Sequence, residues 1–306
     1  MAQKIIKGIL KVFGILLGGL VGLAISGYAT AYFISESKVN QTYEAPAVAL
    51  TAPNDAATVA RGQHLVSAIT ACGDCHGDNL TGKVIIDDPL IGKIVAPNLT
   101  PGQNSILAQR ADGEIARVLR YAVKPNGRSV IIMASEDYHD LSEPDLTAII
   151  SYLRSLAPID GLVGHIELRP LGRVLMALGQ LPVITAESPR LKVVPMPAPQ
   201  PGVTVEYGRY MAQASGCFGC HGWTLSGGPI PGDPSGMLPA NITPAGEVGA
   251  FTEETFISSM RSGVNPFGRK LSEQMPVRFY KNMTDDELKA LWAYIRQVEP
   301  KEYGNR

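Results

Sequence analysis

The chain has 306 residues, a length that suggests two domains at about 150 residues each. Its 27 Lys plus Arg stand against 28 Asp plus Glu, a formal net charge of −1, which excludes the basic excess that a nucleic-acid partner requires. Four cysteines over this length exclude the disulfide framework of a small secreted protein, and 55 Gly plus Pro predict many turns between modest helices.

Lys4, Lys7 and Lys11 precede 24 uncharged residues, Val12 to Ser35, and the first acid is Glu36. Such a run exceeds the roughly 20 residues that cross a hydrocarbon core of about 30 Å, and its glycines are tolerated in a membrane helix. Residues 1–37 are therefore read as a single-pass anchor in the inner (cytoplasmic) membrane. The positive-inside rule leaves the lysines in the cytoplasm and places the rest of the chain on the periplasmic side. The competing reading is a cleaved signal peptide, because Ala29-Thr30-Ala31 resembles a small-residue cleavage site. The run is longer than the 7–15 residues or so of a signal core.

All four cysteines fall in two identical patterns, Cys72-Gly73-Asp74-Cys75-His76 and Cys217-Phe218-Gly219-Cys220-His221. C-x-x-C-H is the attachment signature of c-type haem: two thiols add across two vinyl groups on one porphyrin edge, and the adjacent His binds the iron. Zinc would need four N/S ligands collected from both copies, and a thioredoxin-like pair would need a strand–helix context that is missing here. The cofactor expectation is two haems c, held by Cys72, Cys75, Cys217 and Cys220, with His76 and His221 on iron.

The motifs stand 145 residues apart inside an internal repeat. Gly62 lies 14 residues before His76, and Gly208 lies 13 before His221. Pro97-Asn98-Leu99-Thr100-Pro101 matches Ala240-Asn241-Ile242-Thr243-Pro244, and each copy then has a methionine, Met133 or Met275. Beyond these the register has no gaps: Leu141–Leu146 matches Met283–Leu288, and Tyr152 and Tyr294 each follow their methionine by 19 residues. Ser142 and Thr284 read as N-caps with an acid three residues on. The apolar sets Leu146, Ile149, Ile150, Leu153 and Leu288, Leu291, Trp292, Ile295 each form one helical stripe. His64 aligns with Tyr210 on the first helix and reads as a helix-packing residue.

Each copy resembles a class I cytochrome c domain: N-terminal helix, CxxCH, loops around the haem, a methionine, and a C-terminal helix. The resemblance covers residues 53–157 and 204–300, and the pair behind an anchor is similar to cytochrome subunits of periplasmic dehydrogenases. The implied fold is all-α, two tandem class I cytochrome c domains (53–157 and 204–306) behind one N-terminal transmembrane helix. It also implies that Gly62 meets Tyr152, and Gly208 meets Tyr294, where the terminal helices cross. Met133 and Met275 are the implied distal ligands. A thioether favours Fe(II) and closes the site to small ligands. Alone, a Met before a helix is more often a gap-filling core residue. Arg120, Arg128, Arg261 and Arg269 suit haem propionates as well as they suit a solvated surface. Asn98 and Asn241 suit local turn bonds.

Residues 158–203 form a proline-rich connector, with a short helix expected between Leu171 and Leu181. There is no GxGxxG, Walker A loop, nucleophile elbow or HExxH. The chain therefore reads as an electron carrier rather than an enzyme. It would relay single electrons between redox partner proteins such as a quinol-linked complex, a dehydrogenase or an oxidase. The alternative is a di-haem enzyme, peroxidase-like or thiosulfate-oxidising, with one substrate-accessible haem. The thiosulfate type needs an additional Cys on iron, and a peroxidase needs an open or His-ligated haem, which His64 or His139 would have to supply.

Overall fold

The computed structural model describes residues 2–231 and 236–306. One long helix, α1 (Ala2–Asn40), leads into the first repeat. That repeat holds α2 (Ala56–His64), α3 (Cys72–His76), a hairpin of β1 (Lys83–Asp88) and β2 (Gly92–Ala96), α4 (Asp112–Tyr121), α5 (Ser135–Tyr138) and α6 (Glu143–Ser155). The connector contributes β3 (His165–Leu168) and α7 (Pro170–Ala177). The second repeat has α8 (Val205–Ala214), α9 (Cys217–His221), α10 (Glu253–Ser262), α11 (Val277–Tyr280) and α12 (Asp285–Gln297). The helices of the second repeat match those of the first one for one.

In each repeat the first and last helices cross at a glycine. A Cβ on Gly62 would stand 1.9 Å from the Ala148 carbonyl oxygen and 2.8 Å from the Tyr152 Cβ. A Cβ on Gly208 would meet Ala290 and Tyr294 at the same two distances. No other residue type permits that approach. The N-caps also fall where expected. Ser142 Oγ accepts the Asp145 N–H (3.0 Å), and Thr284 Oγ1 accepts that of Glu287 (3.2 Å). The second box is closed by Glu287, which accepts the Thr284 N–H at 2.8 Å. Asp145, one methylene shorter, turns its carboxylate to other partners.

The stripes of α6 and α12 share one core. Leu65, Ile69, Leu146 and Ile150 of the first repeat form a continuous cluster with Met211, Leu288 and Leu291 of the second. Matching positions contact across the join. His64 Nε2 lies 2.8 Å from Glu287 Oε2, and Tyr210 donates to Asp145 Oδ2 at 2.7 Å. Arg61 adds both of its Asp145 contacts (2.8 and 3.1 Å) and one at 3.5 Å to Glu287. His64 thus reaches across the join to hydrogen-bond Glu287 of the other repeat, beyond the helix-packing role its position suggests.

The structure adds a three-stranded antiparallel sheet, β1-β2-β3, to the helical architecture. The connector was expected as extended chain plus a helix. Four of its residues instead pair with β2, from Gly92↔Leu168 to Val95↔His165. α7 follows and packs along the end of α1. From Gln3 to Thr30 α1 is exposed all round, whereas Ala31 and Ser35 are buried. The Arg173 guanidinium lies 4.2 Å above the Tyr32 ring and 3.0 Å from Glu36 Oε2.

Candidate cofactor site

Both attachment motifs begin at a left-handed residue, Ala71 (φ 48°) and Gly216 (φ 73°), which turns the chain into the single helical turn of α3 or α9. That turn brings both thiols of a motif and its histidine together. Among the described residues no disulfide joins the four cysteines. Burial pushes the Cys72 and Cys217 thiols up to about 11, so they are held neutral. A hydroxyl lies near each, Thr70 Oγ1 at 3.2 Å and Ser215 Oγ at 3.5 Å.

The histidines are oriented from behind. His76 Nδ1 stands 2.8 Å from the Pro97 carbonyl oxygen, and His221 Nδ1 stands 2.7 Å from that of Ala240. A carbonyl only accepts, so Nδ1 carries the hydrogen. Burial lowers both histidines' pKa, which favours the neutral ring with a lone pair on Nε2. That is the form in which imidazole ligates a metal.

Each accepting carbonyl belongs to the residue just before Asn98 or Asn241. Asn98 Oδ1 accepts the Thr100 N–H at 2.8 Å, and its amide donates to the Ile159 carbonyl at 2.7 Å. Asn241 repeats this with Thr243 (2.9 Å) and Lys301 (2.7 Å). The sequence suggests the local turn bond. It does not suggest the second bond, which ties the loop behind the histidine to chain some 60 residues on.

Met133 and Met275 occupy equivalent turns. The carbonyl of each accepts from the N–H two residues on, that of Ser135 (2.8 Å) or Val277 (2.7 Å), and the short helices α5 and α11 follow. Both methionines pack, partly buried, against the shared core. Tyr138 and Tyr280, missed at the sequence level, tie these methionine loops to the attachment turns. Tyr138 donates to the Thr70 carbonyl at 2.8 Å, and Tyr280 donates to that of Ser215. Burial pushes both phenols well above their usual range, so they remain donors. The available signal was their position, five residues after each methionine.

The two sites are adjacent. Arg278, on α11, pairs with Asp74 (3.0 Å) inside the first motif and with Asp78 (2.7 Å) just past it. A Cβ on Gly73 would lie 3.1 Å from the Phe279 ring, and one on Gly216 would lie 3.1 Å from Asp137 Oδ2. Gln213 donates to the Glu136 carbonyl at 2.9 Å. Each methionine loop therefore leans on the other repeat's attachment turn. A cavity of about 440 Å³ opens at one such contact, lined by Met133 and Asp137 from the first repeat and Phe218, Gly219 and Trp223 from the second.

Other candidates are committed elsewhere. Both His139 ring nitrogens lie 2.9 Å from carbonyl oxygens, those of Arg120 and Val193. Arg261 donates to the Lys281 carbonyl and to Asp285, and Arg269 pairs with Glu247. His165 is exposed at the sheet edge. The thiol pairs, neutral histidines and neighbouring methionines fit a covalently attached haem in each repeat. CxxCH would hold the porphyrin edge and its iron.

The cytochrome c family model matches residues 59–157 and 205–299. The fructose dehydrogenase cytochrome subunit of Gluconobacter japonicus is 35% identical over 115 residues, 35% of this chain and 24% of that protein. The cytochrome c subunit of the quinone alcohol dehydrogenase of Gluconobacter oxydans is 31% identical over 111 residues (33% and 23%). That of gluconate 2-dehydrogenase from Pantoea cypripedii is 33% identical over 110 residues (33% and 25%). The matched region thus spans about a quarter of each relative's length.

Proposed function

The chain belongs to the cytochrome c family, and on that basis we propose that it is an electron carrier that relays single electrons through two haems, one in each repeat. Haem iron supplies the one-electron couple when bound. The residues of this chain fix and tune it. Cys72 and Cys75, with Cys217 and Cys220, are the thioether anchors. The Pro97 and Ala240 carbonyls hold Nδ1 of His76 and His221, which leaves Nε2 as the atom that would bind iron. Met133 and Met275 would complete the iron's ligand set, where a soft neutral thioether would raise the potential and exclude external ligands.

The observation that carries this reading is the duplication of the histidine–carbonyl–asparagine arrangement behind both motifs. The reciprocal lean of each methionine loop on the other motif supports passage of electrons between repeats. A peroxidase-like reading has little support, because His64 pairs with Glu287 and His139 lies between two carbonyls.

The donor is proposed to be a dehydrogenase subunit, by analogy with the named relatives. We place the chain in the inner membrane, with α1 retained as its anchor and both repeats on the periplasmic side. The length of the uncharged run, Val12 to Ser35, supports retention, whereas the contacts of Tyr32, Ser35 and Glu36 with α7 lie beyond the Ala29-Thr30-Ala31 site and would survive cleavage there.

The test is spectroscopic. Two covalently bound haems per chain, both low-spin and neither binding carbon monoxide when reduced, are expected. Met133→Ala and Met275→Ala should each open one iron to carbon monoxide and lower that haem's potential. An unchanged spectrum in either variant would remove that methionine from the ligand set.

A further inference from the structure

We propose that the tip of the β1–β2 hairpin, together with the first turn of α7, is a second contact with the lipid surface beside α1. The inference rests on the reading of α1 as a retained membrane anchor and goes beyond it, by assigning a lipid-facing role to part of the first repeat.

The order of contacts sets the level of this region. Arg173 meets Tyr32, Ser35 and Glu36. Three residues on, Met176 lies in the cluster against which Val39 packs. α7 therefore runs in the same direction as the end of α1. Its first residues, Pro170 and Leu171, lie on the side of Arg173 toward the uncharged run that ends at Ser35. The hairpin tip is bound to that first turn. The Leu90 carbonyl accepts from Leu171 N–H at 3.0 Å, and the Ile91 carbonyl accepts from Arg169 N–H at 3.1 Å. A Cβ on Gly172 would stand 2.0 Å from the Ile91 oxygen, so the two elements form one block.

The chemistry of the block fits an interface with hydrocarbon. Unsatisfied backbone groups are costly in lipid. Here Asp88 Oδ1 accepts both Leu90 N–H and Ile91 N–H at 2.8 Å, so both amides of these residues are satisfied internally, as are their carbonyls. The charged groups behind the tip pair with one another: Lys93 with Asp87 at 2.9 Å, and Arg169 with Glu167 at 3.2 Å. At its outer end the block exposes apolar side chains, Leu90 (60%) and Leu171 (40%), while the Asp88 carboxylate is engaged by the turn's amides. Arg173, over an aromatic ring at the end of the uncharged run, occupies the position of a headgroup-level anchor.

The test uses the full haem-loaded chain in phosphatidylcholine vesicles. Leu90→Cys, Leu16→Cys and Glu254→Cys are each labelled with a polarity-sensitive nitrobenzoxadiazole fluorophore. The unsubstituted protein, whose cysteines are in thioether bonds, is the labelling blank. Emission is compared between plain vesicles and vesicles containing spin-labelled lipid, a ratio that cancels quenching by haem. The Leu90→Cys label should be quenched at least about twofold by lipid spin-labelled near the headgroup and resist aqueous iodide, as an interfacial side chain does. The Glu254→Cys label, on exposed α10, should show the reverse. If Leu16→Cys is quenched by lipid spin-labelled deep in the chain while Leu90→Cys answers only to iodide, the second contact is overturned and the anchor stands. If Leu16→Cys also answers only to iodide, the anchor reading fails and the second contact falls with it.

Discussion

Asn98 illustrates how one side chain positions a ligand it never touches. With its oxygen on Thr100 and its amide on Ile159, the loop holding the Pro97 carbonyl is pinned from both sides. Asn98 is fully buried, so Asn98→Ala strands the buried Thr100 N–H and leaves the Ile159 carbonyl with only the Thr100 hydroxyl as donor. The expected cost is about 1–3 kcal/mol of stability, read from chemical denaturation. Asn241→Ala should act in the same direction but less strongly on the second repeat, because Asn241 is only partly buried. The residue type and spacing made the turn legible in the sequence. The bond to Ile159 was not legible, because its acceptor is a backbone carbonyl, which residue identity does not mark.

Helix crossing is the dominant effect at the level of elements. The glycines, the caps and the apolar stripes of α6 and α12 were all legible, because each is a pattern within a few residues. Gly62→Ala tests the crossing: its Cβ would meet a backbone oxygen at 1.9 Å, so α2 and α6 must separate. A loss of about 3 kcal/mol is expected by thermal unfolding, at the upper end of overpacking costs. Ser67→Ala, on an exposed position of the turn following α2, should change little. The sheet was not legible. β3 is four residues of the connector, too short for periodicity, and it is a strand only because β2 presents an edge to it.

For the whole molecule, the join between repeats is ionic at its rim and apolar at its centre. Burial pushes the Glu287 carboxyl upward, but the His64 and Thr284 hydrogen bonds and the charges of His64 and Arg61 outweigh it, so its pKa lies below the ordinary 4.5. A lowered carboxyl pKa contributes stability that is fully present above 4.5 and is lost as pH falls through the lower folded value. Acid unfolding of the wild type should therefore steepen below about pH 4.5, and Glu287→Gln should flatten that limb while reducing stability at neutral pH. An unchanged acid limb in Glu287→Gln would show that the pair contributes nothing to the join.

By itself, the sequence determined the two attachment motifs, their repeat, the capped helices, the glycine crossings and the long apolar N-terminal run. Each of these is written in spacings of a few residues, and covalent chemistry or helical geometry leaves little choice about what such a spacing becomes. Only the tertiary structure decided that His64 faces Glu287, 223 residues away, that each methionine loop leans on the other motif, and that the end of α1 packs against α7 of the connector. These are choices of partner between surfaces distant in the chain, where charge and shape settle the match only after both surfaces have formed.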